Sequence, residues 1–165
     1  MVVFDSTMLL LLMRPDANIS NGKPLEHVKE RISLLLEQLE KDKTTIVIPA
    51  PAFSELLIKA DDARNEIIAN IRKSSRFRIQ PFDTIAAIEL AEMTRLALKN
   101  GDKRNGVDGS WAKIKFDRQI IAIAKVVGAS TIYTDDKGLQ SFAKKFDIKI
   151  VKLSELPLPE QGQLI

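Results

Sequence analysis

The sequence has no cysteine and a single histidine, His27, among its 165 residues. Disulfide frameworks and thiolate metal sites are thereby excluded, and one histidine argues against a zinc centre or a histidine-based triad, so any metal ion is expected to be held by oxygen. Tryptophan and tyrosine occur once each. The longest apolar stretch, residues 8–13, is far below the roughly 18 to 20 residues needed to span a bilayer. No lysine or arginine precedes Arg14, so the opening lacks the basic head of a signal peptide, and a cytoplasmic location is expected. What is present is 45% apolar and 28% charged residues, a balance that suits one globular domain with a real core.

Twenty-five basic and 22 acidic residues give a formal charge of only +3. The distribution says more than the total. Lys99, Lys103, Arg104, Lys113, Lys115 and Arg118 face only Asp102, Asp108 and Asp117 within residues 99–118, so this segment carries the whole excess. Clustered cations of this kind suit phosphate contacts, which makes nucleic acid a candidate partner. Trp111 lies among them and could stack a base. The RNA-binding candidates are therefore Lys103, Arg104, Trp111, Lys113, Lys115 and Arg118.

Val2-Val3-Phe4, Thr44 to Ile48, Phe77 to Gln80, Ser130 to Tyr133 and Ile148 to Val151 read as five short strands. Helical spacing of apolar residues runs over 25–41, 51 to about 74, 83–98, 117–127 and 138–146. Alternation of strand and helix predicts an α/β domain with a mostly parallel five-stranded central sheet, because parallel neighbours need crossover connections. Residues 100–109, rich in Gly, Asn and Asp, read as a mobile loop inside a domain covering 1–155, and 156–165 reads as an extended C-terminal tail.

In such a sheet the functional crevice lies beyond the carboxyl ends of the strands. Asp5 follows the first strand, Glu55 sits on the first turns after the second, Asp117 stands where a helix N-cap would, and Asp135 and Asp136 follow the fourth. Each has an ordinary reading as a turn former, a cap or a surface acid. Together they would crowd like charges, which raise one another's pKa unless a cation compensates them. Mg²⁺ or Mn²⁺ prefers such hard oxygen ligands and suits phosphodiester hydrolysis.

Four stretches, VVFDSTMLLLL, IPAPAFSELL, FDRQIIAIAKVVGAS and TIYTDDKGLQSFAKKF, in this order and spacing, resemble the PIN-domain nucleases, and among them the VapC-like toxin ribonucleases. The resemblance implies a three-layer α/β/α sandwich, Mg²⁺ or Mn²⁺ dependence, and endoribonuclease activity, with a cognate antitoxin and a homodimer as expected partners. By motif, Asp5, Glu55, Asp117 and Asp136 would be the catalytic and metal-binding acids. Asp135 remains a further candidate ligand, since the doublet leaves two registers and only Thr134 favours Asp136. Thr134 and Ser6 would support the site through their hydroxyls.

Two other classes compete. A PIN-like module could hold RNA or protein without cutting, since a fold and a basic loop do not establish turnover. A small-molecule phosphohydrolase could use a similar sheet, although Asp5-Ser6-Thr7 lacks the second aspartate of the haloacid-dehalogenase signature and no glycine-rich phosphate loop of the Walker type is present.

Overall fold

Three short runs rich in Val and Ile, Val2–Phe4 (β1), Ile46–Pro49 (β2) and Thr131–Tyr133 (β4), form the middle of a five-stranded sheet edged by Phe77–Gln80 (β3) and Lys149–Val151 (β5). The computed structural model describes residues 1–17 and 25–158. The strand order is β3-β2-β1-β4-β5, and every neighbouring pair is parallel. All five expected strands are present.

Alternation along the strands sends successive side chains to opposite faces. Val2, Phe4, Ile46 and Ile48 enter one core with Ser6–Met13 (α1), Val28–Lys41 (α2) and Arg64–Lys73 (α4). Val3, Val47 and Ile132 enter the other, with Thr84–Lys99 (α5), Trp111–Val126 (α6) and Lys137–Ala143 (α7). Ala50–Ala60 (α3) sends Leu56 and Ala60 to the first core and Ala52 to the second. The result is the expected α/β/α sandwich.

Several boundaries differ from the sequence reading. The apolar run 8–13 belongs to α1, in which Met8, Leu9 and Leu11 are buried. Having almost no polar face, it shows no helical period. The helix expected over 51–74 is two helices, α3 and α4, separated by a 3-10 turn at Asp61–Ala63 whose first residue adopts φ +48°. The largest shift concerns α6, which starts six residues before Asp117; Ser110 is its N-cap, accepting a hydrogen bond from the Lys113 N–H at 3.2 Å. Leu156, expected in the tail, is buried in the first core, and residues 159–165 of that tail lie outside the described residues.

Candidate active-site cleft

Successive strands run outward from β1 through β2 to β3, then return to the other side of β1 as β4 and β5. The strand order thus reverses between β1 and β4, where crevices open in parallel sheets. A cleft of about 540 Å³ lies there, and Asp5, Glu55, Asp117 and Asp136 all line it, with Lys59 and Lys113.

Asp5 is the floor. It ends β1 and caps α1, its Oδ1 accepting from the Met8 N–H at 2.8 Å. Its Oδ2 accepts from the Thr134 hydroxyl, and Thr134 Oγ1 accepts in turn from the Asp136 N–H at 3.0 Å. This threonine, fully buried, couples the loop after β4 to the acid after β1. Burial pushes the Asp5 carboxyl up to about 6, against the Met8 and Thr134 hydrogen bonds and the field of Lys59.

Glu55 reaches the cleft from the second turn of α3, beside the buried face of Ala52, Leu56 and Ala60. Its Oε2 accepts from the Ser6 hydroxyl at 2.7 Å, and its Oε1 pairs with Lys59 Nζ at 3.0 Å. Lys59 also donates to Ser6 Oγ at 3.0 Å. Serine, glutamate and lysine therefore form one closed triangle.

Asp117 and Asp136 share a single cation. Lys113 Nζ lies 2.9 Å from Asp117 Oδ2 and 2.8 Å from Asp136 Oδ2. The two acids respond differently. Burial is the main influence on Asp117 and holds it above the ordinary range despite Lys113, with Asp136 and Glu55 pushing the same way. Burial also acts most strongly on Asp136, but Lys113 and the N–H groups of Leu139 and Gly138 together outweigh it and lower that carboxyl. The Asp117 side chain is 9% exposed and that of Asp136 35%, so water supports the second charge better than the first.

Gly138, on the first turn of α7, makes the approach possible. A Cβ there would stand 3.1 Å from Asp117 Oδ2 and 3.2 Å from Asp136 Oδ1. The bare backbone leaves a cradle between the two carboxylates. Its chemistry fits a hard divalent ion, because every donor is oxygen and the acids outnumber the lysines by four to two. Among the described residues, however, no three carboxylates stand close enough together to hold an ion as they are. Ammonium groups bridge or pair three of the four.

The sequence candidates distribute unevenly. Asp5, Ser6, Glu55, Asp117 and Asp136 line the cleft, and Thr134 supports Asp5 from behind. Asp117 is not a helix cap; it sits in the middle of α6, about one turn from each of the core residues Ile114 and Ile121. Asp135 does not join the cluster, because its Oδ1 accepts from the Leu153 N–H at 3.0 Å and its side chain is not part of the cleft wall.

The basic segment does not form one surface. Lys113 alone of its six candidates lines the cleft. Lys115, two residues on, is exposed but turned about 200° round the helix. Arg118 is 1% exposed: its guanidinium lies over Phe142 and Trp111 at 4.8 and 5.3 Å and donates to the Lys103 carbonyl, so it cannot hold RNA phosphate. Trp111 is partly buried against the second core, with Lys103 Nζ 4.7 Å from its ring. Lys103 and Arg104 remain exposed on the loop. That loop is organised by Asp102, whose carboxylate accepts from the Arg104 and Gly106 N–H groups at 2.9 and 2.6 Å.

Lys59 and Gly138 were not singled out as site residues from the sequence. The i,i+4 spacings of Glu55 with Lys59 and Lys113 with Asp117 were visible there, and such neighbours share a helix face. Gly138 carried no comparable signal.

Comparison with known proteins gives the same fold. The FitAB structure bound to an IR36 DNA fragment matches with a TM-score of 0.60 at 20% identity, covering 98% of this chain and 99% of that one. VapBC2 from Rickettsia felis, bound to a promoter DNA fragment, matches with 0.60 at 15% identity over 92% and 97% of the two chains. VapC20 from Mycobacterium tuberculosis, described as a sarcin-ricin loop cleaving toxin, matches with 0.52 at 14% identity over 86% and 94%. No curated protein matches the sequence. The description "PIN domain" matches residues 26–145, most of the sheet and three of the four cleft acids, and the chain belongs to the PIN-domain family.

Proposed function

We propose that the chain is an Mg²⁺- or Mn²⁺-dependent endoribonuclease, the toxin of a type II toxin–antitoxin pair, with Asp5, Glu55, Asp117 and Asp136 as the ion-holding acids. The observation that carries this reading is the convergence of carboxylates from four distant chain segments in one cleft. A divalent ion, when bound, supplies charge neutralisation at the phosphate and a more acidic water. The protein's own residues fix where that chemistry occurs. Asp5, gripped by Met8 and Thr134, offers a carboxylate with little freedom to swing away. Ser6 holds Glu55 against the same wall. Ile58 and Phe116 line the cleft beside the acids and give apolar surface on which a nucleobase can lie.

Supporting the RNA substrate are the likeness to VapC20, described as a sarcin-ricin loop cleaving toxin, and the exposed Lys103 and Arg104. The same likeness to VapC proteins supports a cognate antitoxin as inhibitor. Exposed Ile85, Ile88 and Leu96 on α5 supply apolar surface for a homodimer. No described helix is long and apolar enough to cross a membrane, and a cytoplasmic setting fits an RNA target. Structured and single-stranded RNAs incubated with Mn²⁺ should be cut by the wild type, and not in EDTA or by Asp5→Asn. Equal cutting by highly purified wild type and Asp5→Asn would eliminate the assignment.

One observation favours the second reading, a PIN-like module that binds without cutting. Lys59 and Lys113 already neutralise part of the acid cluster. Calorimetric titration separates the two: the nuclease reading requires an ion site that Asp117→Asn removes, whereas a binding module requires none.

A further inference from the structure

Lys113 is a cation that sits where the acids converge. Its Nζ contacts Asp117 Oδ1 and Oδ2 at 3.2 and 2.9 Å and Asp136 Oδ2 at 2.8 Å, which uses the donors of one ammonium on the two carboxylates. The position a Cβ would take on Gly138 lies 3.1 and 3.2 Å from the same two carboxylates and 3.8 Å from Lys113 Nζ. The cradle and the ammonium are therefore neighbours on one pair of ligands. A divalent ion bound by Asp117 and Asp136 cannot share those oxygens with an ammonium that holds three contacts to them, because both need the same lone pairs and repel each other.

We infer that Lys113 is a built-in counter-cation that occupies the Asp117–Asp136 half of the cleft until an ion enters and displaces it. This rests on the nuclease reading of the cleft and adds a regulatory step to it. The displaced side chain stays on the cleft wall, because α6 anchors its Cα beside Asp117 through Ser110 and the buried Ile114. Its charge then becomes available to a substrate phosphate entering the same cleft. Lys59 differs: it pairs with the Glu55 carboxylate and the hydroxyls of Ser6 and Thr7, so an ion on Asp117 and Asp136 need not move it.

The test is calorimetric titration of MnCl₂ into the full chain, wild type, Lys113→Met and Lys115→Met. Methionine keeps the apolar stem and removes the charge. Lys113→Met should bind Mn²⁺ at least tenfold more tightly than wild type, and Lys115→Met within twofold of it. Repetition at 0.1 and 0.5 M KCl separates occupancy from long-range repulsion, because salt screens distant charges and spares contact pairs. The tenfold gain should persist at the higher salt. Unchanged or weaker Mn²⁺ binding by Lys113→Met, or a gain that vanishes at 0.5 M KCl, overturns the inference while leaving an ion site that Asp117→Asn abolishes. Binding by wild type that Asp117→Asn does not alter overturns both the inference and the reading beneath it. Should the methionine variant not fold, the ammonium resonances of Lys113 in wild type give the same answer: Mg²⁺ must release them into fast exchange with water, and ammonium protons that stay protected refute displacement.

Discussion

Asp5 and the Asp117–Asp136 pair sit in one cleft but are held in opposite ways. Asp5 is buried with amide and hydroxyl donors and, among the described residues, no ammonium in contact, and its carboxyl rises to about 6. Asp136 shares Lys113 with Asp117 and falls below its ordinary value. Hydrogen bonds to neutral donors orient a carboxylate without neutralising it, whereas an ammonium does both. The cleft thus keeps one acid without a contacting cation at its floor and a pre-neutralised pair at its wall.

The most severe way to break that contrast is to remove a wall acid. Asp117→Asn should lower RNA cleavage roughly a thousandfold, since a ligand and half of the Lys113 anchor go together, and loss of transition-state electrostatics has this scale. Initial cleavage rates in Mn²⁺ check it; a loss below tenfold would show that Asp117 serves packing alone.

Asp5→Asn probes the floor through stability. A carboxyl whose folded pKa lies above its ordinary 3.8 favours folding fully only below about pH 4, and that contribution is lost as pH rises through about 6. At pH 7 to 8 in EDTA, Asn should therefore stabilise the protein by about 2 kcal/mol, less than the full linkage because the Thr134 proton loses its carboxylate acceptor. At pH 4 the gain should disappear. Urea denaturation at the two pH values measures both, and equal destabilisation at each would mean that the ionised floor costs nothing.

How much of this contrast could be read beforehand depends on what each feature needs. The strands announced themselves because Val2, Val3, Ile46, Val47 and Ile48 are buried on both faces and need no alternating pattern. Asp5 and Asp136 were legible because each closely follows a strand, whereas Asp117, read as a helix cap, lies in the middle of α6. In α6 the pattern was present but misread: Trp111, Ile114, Arg118 and Ile121 fall on one stripe, and a charge in that stripe looked like surface. Burial of Arg118 follows from Phe142, which arrives from α7 and is far away in sequence. The Lys113 bridge likewise needs Asp136 from another element, although its i,i+4 half with Asp117 was local. Helix α1 gave no signal because six of its eight residues are Leu or Met in unbroken sequence, leaving nothing to alternate.

Gly138→Ala sharpens the comparison without touching a charge. Alanine is the better helix former by about 1 kcal/mol. Its methyl, however, would press on the Asp117 and Asp136 carboxylates, both inside ordinary contact distance. Fold stability should be kept or slightly raised while cleavage falls about tenfold, the scale expected when reacting groups are misplaced by a fraction of an ångström. Asp5 should be indifferent, so the acid-dependent stability difference between wild type and Asp5→Asn should survive in the Gly138→Ala background.

The smallest effect is expected at Lys115, which separates charge in general from charge in the cleft. Lys113 and Lys115 have the same side chain and lie two residues apart on α6, yet only the first lines the cleft. If the basic segment acted as a diffuse electrostatic surface, Lys115→Ala would weaken RNA cleavage nearly as much as a change at Lys103 or Arg104, and raising the salt would erase the difference. With the cleft geometry in control, Lys115→Ala should alter cleavage less than twofold at 0.1 M KCl. Parallel rate measurements on Lys115→Ala and Lys103→Ala decide between the two, because the helix turns Lys115 away from the acids whatever its charge contributes at long range.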